Sequence, residues 1–473
     1  MSETFEKVLV KDDRLGCITS KVKFQVLKGG QNITCQPFKA ISETKASHVY
    51  NVTVPSLETI ISREVLWKST VTLKITGTGK GPNEFLVNYG VTDALAPFPL
   101  HSLVTTMTAT INNNTISQNM MDTLPILLRM VDSEEFAKYD SMTPTALDYL
   151  ADYRDGVHRM EFQLDTNAGN QPCAYMPGTV DGTPADTVLT STRARSFLSH
   201  PNNILGHDMI RPAGTAYYHK SRGAWKLKSL YALEGGNKLI PRITDTVVYA
   251  QFEVTEPLLL SPFVFGSGFG KQGFYGIQTM NFNMNINSNA ARAWRSAVFN
   301  GTKAVEVDSF SDSQLVFQFL TPHASDMLDP RNVVPFYEFP VYRTSGNLAL
   351  PARPNYGTAS ADGSFAEPAR VTLQSTNLQL SGIPDKLIIF VRKRVADLKC
   401  SDTDSYATIT NISINFNNQA GLLSSMSQEQ LFRNSVQSGL ANMSWDEFCG
   451  STVSACDGDA PDHNAQFDQP TQV

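Results

Sequence analysis

The 473-residue sequence has no hydrophobic run long enough to cross a bilayer. Its richest runs, such as Leu258-Leu259-Leu260, stop within a few positions, against the roughly 18 or more consecutive apolar residues that a membrane span requires. The opening residues, MSETFEKVLVKDDRLG, are charged and lack an apolar core, so a secretory leader is not expected and a soluble product is. Cysteine is scarce, and the six present (Cys17, Cys35, Cys173, Cys400, Cys449, Cys456) form no C-x-x-C pair. That spacing argues against a zinc ribbon or a dithiol redox site and for free, mostly buried thiols in a reducing compartment. Neither sign of charge dominates: 39 basic and 45 acidic side chains leave a net −6, which excludes a strongly basic wrapper of nucleic acid. With 41% hydrophobic residues the chain is not disordered overall either.

Catalytic and ligand-holding patterns are missing too. The eight histidines (His48, His101, His158, His200, His207, His219, His323, His463) show no H-x-H or H-E-x-x-H spacing and no cysteine at finger distance, so no metal site is assigned. There is no G-x-S-x-G elbow. Glu134-Glu135 and Asp446-Glu447 fall where helices would begin, and carboxylates there complement the helix dipole more readily than they form a glycosidase pair. Gly268-Phe269-Gly270-Lys271-Gln272-Gly273 is a literal G-x-G-x-x-G, but the residues after it alternate like a strand. No helix N-terminus is available there to receive a pyrophosphate. Gly77-Thr78-Gly79-Lys80-Gly81 lacks the Ser or Thr that follows the lysine of a phosphate loop and reads as a strand-ending turn. Catalytic, cofactor-binding and metal residues are therefore all assigned as none.

What the sequence has in abundance is short runs of period two, rich in β-branched and aromatic residues and separated by Pro, Gly and Asn. Strands are expected at 21–27, 48–54, 66–76, 103–111, 246–255, 279–286, 314–320, 335–342, 370–380, 386–395 and 408–416. In 66–76, Val71, Leu73 and Ile75 share one face and Thr70, Thr72 and Lys74 the other, the pattern of a half-buried strand. In 279–286, Met280, Phe282, Met284 and Ile286 alternate with Asn281, Asn283 and Asn285. Helices are expected only as inserts: one capped by Thr123 with Pro125 in its first turn, one at 145–153, and one after a Ser425/Gln428 capping box. Helices confined to long connections suit a sandwich better than alternating βαβ units.

Basic clusters occur at Arg392-Lys393-Arg394, at Arg193 and Arg195, and from His219-Lys220-Ser221-Arg222 through Lys226 and Lys228. On a strand Arg392 and Arg394 share a face opposite Lys393, which suits a structural or interface role rather than a dedicated nucleic-acid site. Six N-x-S/T triplets begin at Asn32, Asn51, Asn113, Asn300, Asn411 and Asn442. Without a secretory route they read as chance in a chain rich in Asn and Thr.

Several stretches together resemble a known family. Ala96-Pro97-Phe98-Pro99-Leu100-His101-Ser102-Leu103, then Thr108 to Asn119 with its Asn112-Asn113-Asn114 run, then the helix from Asp122 to Met130, are similar to the first half of the double jelly-roll major capsid proteins of small eukaryotic DNA viruses, the polinton-like and adintovirus-like group. Thr255-Glu256-Pro257-Leu258-Leu259-Leu260-Ser261-Pro262-Phe263 resembles the last strand of that first jelly roll. Gly276 to Phe282 with Ala293-Trp294-Arg295-Ser296 resembles the opening of the second. Asn411 to Asn418, Gly421-Leu422-Leu423-Ser424, Gln430-Leu431-Phe432 and Ser444-Trp445 are similar to the late strand and helix.

The expected fold is thus all-β with helical loop insertions, in two tandem jelly-roll β-sandwiches. The expected division is an N-terminal arm at 1–45, a first jelly roll at 46–265, a Gly-rich linker at 266–273, a second jelly roll at 274–450 and a polar, acidic tail at 451–473. The family has final strands after its late helix, but 451–473 has no strand pattern. The tail is expected to be disordered, and the second sandwich to be closed from elsewhere or to end early. The resemblance implies a non-enzymatic virion protein that forms homotrimers and then an icosahedral shell lattice. Its partners would be copies of itself and minor capsid or penton proteins, with no cofactor, no specific nucleic-acid site and no membrane span. A two-sandwich carbohydrate-binding or adhesion protein and a β-sandwich glycoside hydrolase are the rival readings.

Overall fold

The computed structural model describes residues 33–78, 85–87, 89, 93–139, 142–145, 147, 227–264, 273–296, 302–322, 328, 332–344, 372–380, 382–404, 406–416 and 419–449. The expected strand at 21–27, the expected helix at 145–153 for all but a few residues, most of the Gly-rich segment and the tail at 451–473 lie outside them.

Two sheets face each other. The first contains β1 (Ile33–Lys39), β4 (Ile60–Ile61), β5 (Leu66–Thr78), β9 (Ser229–Glu234), β10 (Asn237–Leu239), β11 (Val247–Pro257) and β14 (Thr302–Leu320), in the order β1-β14-β5-β11-β9-β10 with β4 also on β14. The second contains β2 (Ser42–Glu43), β3 (Ser47–Thr53), β7 (Val104–Ile111), β8 (Asn114–Gln118) and β12 (Thr279–Ile286), in the order β2-β3-β12-β7-β8. Every pairing is antiparallel, and the chain passes back and forth between the sheets, so that neighbours such as β3 and β12 come from distant sequence. That interleaving is the jelly-roll manner of joining two sheets through one core.

The core follows from the alternation. In β12 all four of Met280, Phe282, Met284 and Ile286 are buried and the residues between them exposed. They meet Leu73 and Ile75 of β5, Phe252 and Val254 of β11, and Leu315 and Phe317 of β14 in one continuous cluster, with Phe282 and Phe317 ring centroids 5.9 Å apart. Trp67 of β5 donates its indole N–H across the core to the Tyr50 hydroxyl of β3 at 2.9 Å. Each such side chain contributes on the order of 1.5–3 kcal/mol by leaving water.

The division between sandwiches expected at 266–273 is corrected by this pairing. β12, expected to open the second sandwich, hydrogen-bonds between β3 and β7, and β14 pairs with both β1 and β5, so the described strands from Ile33 to Leu320 belong to one sandwich. The N-terminal arm is also shorter than expected, because Ile33–Lys39 is an edge strand on β14. Pro37 obscures it in the sequence and is tolerated there because an edge strand leaves one side unpaired. β14 runs for 19 residues rather than beginning at Gln314. Two register shifts, between Val307 and Ser309 and between Ser311 and Gln314, each add one residue and flip the inward phase, with Asp312 at φ 56° in the second. β5 is buried on both faces in its middle: Thr70 and Thr72 are covered, and Gln251 of β11 donates to the Thr72 hydroxyl at 3.3 Å.

Among the described residues the α-helices are α1 (Pro99–Leu103), α2 (Met120–Met130), α3 (Ser133–Ala137), α4 (Gln428–Gln437) and α5 (Trp445–Cys449). α2 starts one turn earlier than Thr123: Asn119 is its cap, accepting from Asp122 N, and Pro125 lies inside the helix. α4 uses the capping box two residues later than expected, Ser427 with Gln430, which leaves Met426 and Leu431 in staple positions. Beyond Leu320 the only ladder among the described residues joins β15 (Ile414–Phe416) to β16 (Gln419–Leu422). The described parts of the strands expected at 335–342, 370–380 and 386–395 carry none.

Candidate functional site at the junction around helix α2

Two stretches that carried the family resemblance meet in the core. α1 has no side-chain cap: Phe98 precedes it at φ 48° and Pro99 opens it. Its free N–H groups are taken by a carboxylate 156 residues away, Leu100 N donating to Glu256 Oε1 at 2.9 Å and His101 N to Oε2 at 3.1 Å. Thr143 donates its hydroxyl to the same carboxylate at 3.2 Å. Leu259 N donates to His101 Nε2 at 3.1 Å, so that nitrogen is the acceptor and Nδ1 carries the proton it gives to Glu256 at 2.6 Å. Both side chains are fully buried, so this pair locks the 96–103 stretch to the 255–263 stretch and touches nothing outside the protein.

The Asn run also has a local cause. β7 and β8 pair Ile111 with Asn114, leaving a two-residue turn in which Asn112 (φ 44°) and Asn113 (φ 70°) are both left-handed. This is a type I′ hairpin, which favours Asn. Asn112 in turn donates Nδ2 to Gly276 O at 2.6 Å and accepts from Gln278 N at 3.0 Å, fixing the entry to β12.

α2 is one of the places where the later half of the chain attaches to the sandwich. Pro125 has no N–H to give to the carbonyl four residues back, that of Met121. Arg392 fills the gap, donating Nη2 to Met121 O at 2.7 Å and pairing with Asp122 at 3.3 Å. Arg343 also pairs with Asp122. At the other end of α2, Asn442 N donates to Arg129 O at 2.9 Å and its amide to Leu128 O at 3.4 Å, giving partners to final-turn carbonyls. The Arg129 guanidinium lies 5.1 Å over the Tyr406 ring, and Tyr406 packs on Phe390 at 4.9 Å. Behind α4, Phe432, Trp445 and Phe448 form an aromatic cluster with centroids 5.2–6.2 Å apart.

A charge network extends from α2 to the ribbon formed by β6 (Asp93–Leu95) and β13 (Trp294–Ser296). Arg295 pairs with Asp404 at 2.9 Å, and Arg292 lies 3.9 Å from the same carboxylate. Lys303 reaches Asp93 at 2.8 Å and the Ser296 hydroxyl at 2.7 Å, while Trp294 donates its indole N–H to Asp93 at 3.0 Å. These groups are buried, so each pair orients its neighbours strongly, and removing one partner leaves an uncompensated charge.

The residues singled out in the sequence take structural roles here. Arg392 is in the α2 junction, Lys393 pairs with Asp402 at 2.7 Å and Arg394 with Asp397 at 2.7 Å. Lys228 and Lys68 share Glu253, and the bond to Lys68 holds that carboxyl below its usual range. Glu134 and Glu135 lie in the first turn of α3, capped by Asp132, and Asp446 and Glu447 belong to α5. Cys35 and Cys400 form no disulfide among the described residues, and burial pushes the Cys400 thiol up to about 11. His48 is buried with both ring nitrogens unpartnered. Arg193, Arg195, the 219–226 cluster, Cys17, Cys173, Cys456, His158, His200, His207, His219, His323 and His463 lie outside the described residues. Among the described residues no cluster of three or more His, Cys, Asp or Glu is placed to hold a metal, and no helix is long and apolar enough to cross a membrane. Sequence reading missed Arg292 and Asp404 altogether, since neither sits in a motif and they lie 112 residues apart.

Comparison with known proteins gives this arrangement its context. A family model described as the Sputnik virophage major capsid protein 1st domain matches residues 3–168 and 198–320, ending on the last residue of β14. A second, described as the major capsid protein V20 C-terminal domain, matches 353–469. The Sputnik virophage protein V20, named as a capsid protein, is 25% identical over 462 residues, covering 94% of this chain. The chain spans 65% of that relative's length. Among solved structures, a chain of the Sputnik virophage determined by cryo-electron microscopy aligns with a TM-score of 0.67 at 22% identity, covering 100% of this chain and 82% of the other. The mavirus major capsid protein aligns with a TM-score of 0.52 at 14% identity, covering 96% and 78%. The fold is therefore that of the double jelly-roll capsid proteins.

Proposed function

The chain belongs to the Sputnik virophage major capsid protein family, and from that premise we propose that it is the principal shell subunit of a virion. Three copies form a pseudo-hexagonal trimer, and trimers tile an icosahedral lattice. Minor capsid or penton proteins are the further partners, and synthesis takes place in a host cell. The subunit performs no chemistry. Its work is to present rigid sandwiches whose outer surfaces fit one another.

The observation that carries this reading is apolar surface left bare in the later half of the chain. Val333 is 81% exposed and Ile383 86%, with Phe336, Tyr342, Leu373, Leu378 and Leu387 also exposed. They sit on stretches without a described ladder, beside a first sandwich whose core is closed. Large apolar side chains left exposed outside a finished core favour burial against another chain. The test is electron microscopy of the purified full chain as concentration and ionic strength are raised. Hexagonal arrays or closed shells are expected, and they are expected to be lost in a Val333→Asp/Ile383→Asp double variant that keeps its β-sheet circular dichroism. A chain that never forms ordered arrays, or a double variant that still does, contradicts the proposal.

A further inference from the structure

Among the described residues, buried positive charge beside α2 outnumbers the negative charge facing it. Arg292, Arg295 and Arg392 have side-chain exposures of 3%, 2% and 9%, and the carboxylates facing them are Asp404 and Asp122, at 10% and 13%. Arg343, the second partner of Asp122, adds another positive charge from a half-exposed position. The partners are unequally shared. Arg295 has Asp404 at 2.9 Å and donates Nη1 to Arg292 O at 2.9 Å, and Arg392 has Met121 O and Asp122. Arg292 is the least satisfied: among the described residues its Nε and Nη2 are buried without a partner, and so is Nη1 of Arg392. The nearest carboxylate oxygen, Asp404 Oδ1, stops 3.9 Å from Arg292 Nε and 4.0 Å from Arg392 Nη1, beyond hydrogen-bond distance from both.

Leaving donors of a buried guanidinium unmade is costly, and burial, with Arg392 and Arg295 adding repulsion, lowers the Arg292 pKa to about 10. The shape of the deficit points to what fills it. Nε and Nη2 lie along one edge of the guanidinium and direct two parallel N–H groups outward, the fork that matches two oxygens of one oxyanion. A third donor, Nη1 of Arg392, lies 4.0 Å from the same Asp404 oxygen. We propose that Arg292 and Arg392 hold a small inorganic oxyanion of the phosphate class. Two of its oxygens accept from Arg292 and a third contact comes from Arg392, and its charge offsets the unpaired positive charge. The site lies where the β6–β13 ribbon, α2 and the 392–404 stretch meet, so the bound anion ties the later half of the chain to the first sandwich.

The test uses the full chain freed of phosphate and melted in increasing inorganic phosphate, against sodium chloride at matched ionic strength. Saturable stabilisation by phosphate over chloride is expected. Arg292→Lys, which keeps the charge and loses the fork, is expected to weaken the apparent affinity by about tenfold or more. Density at the Arg292 fork in phosphate-equilibrated protein, absent in phosphate-free protein, completes the expected result and decides the matter by itself where the lysine variant fails to fold. The proposal is overturned if phosphate stabilises no more than chloride, or if Arg292→Lys keeps the full response. It is equally overturned if the fork holds only water or the Asp404 carboxylate swung onto it.

Discussion

Acid is expected to loosen the first sandwich through His48. This residue is fully buried on β3, its ring 4.3 Å from Phe310 and 6.1 Å from Trp67 in edge-on contacts, and neither nitrogen has a hydrogen-bond partner. Glu43 stands opposite it on β2, but that carboxylate is bonded to Ser313, and Tyr50 beside it is held neutral because burial raises its pKa. Among the described residues no hydrogen-bond partner holds the ring, and burial lowers the His48 pKa from 6.5 to about 4. Between those values the unfolded chain binds a proton that the folded chain refuses, so stability falls as pH drops from about 6.5 towards about 4 and the loss levels off below that. At 1.36 kcal/mol per pH unit of difference, His48 removes about 3 kcal/mol between neutral pH and pH 4. The assay is urea unfolding of the wild type and of His48→Phe across that range, followed by tryptophan fluorescence. Using the difference between the two proteins removes the carboxylates common to both. His48→Phe, which also removes two unpartnered polar atoms, is expected to lose about 3 kcal/mol less than the wild type on acidification. Parallel pH profiles for the two proteins would refute the reasoning.

Other substitutions follow from the same geometry. Glu256→Gln places an amide donor among the four donors that converge on that carboxylate, and is expected to destabilise the first sandwich by about 3–5 kcal/mol in urea titrations. Arg392→Met strips the Met121 carbonyl of its donor and Asp122 of one of its two cations. A loss of about 3 kcal/mol is expected, visible as faster proteolysis of the later half of the chain at unchanged first-sandwich resistance. Asn113→Val forces a β-branched residue to φ 70° and is expected to cost about 1–2 kcal/mol, while Asn113→Gly stays close to the wild-type urea midpoint.

Sequence periodicity revealed the strands that obey a strict two-residue rule and hid those that break it. The Met280–Ile286 alternation is legible because β12 is regular and half-buried from end to end. β14 escaped over its first part because two bulges flip its phase, and β1 because Pro37 argues against a strand unless the edge position is known. Pro125 drew the start of α2 one turn too late: proline favours a first turn, and nothing local shows that Arg392, 271 residues beyond Met121, supplies the donor that proline lacks. The division between sandwiches was misplaced for a related reason. A glycine-dense stretch reads as a boundary, whereas pairing of β12 with β3 is a tertiary choice that the two strands record only as compatible patterns. The junction network was the least legible, since Asp122, Arg292, Arg295, Arg392 and Asp404 are brought together by the fold and share no spacing.

The central claim is that this chain associates with copies of itself, and its mass in solution tests that most directly. Light scattering on the purified full chain as it leaves a sizing column is expected to give three times the 52.0 kDa chain mass, held on dilution. A well-folded chain that stays at the mass of one copy at every concentration would contradict the account.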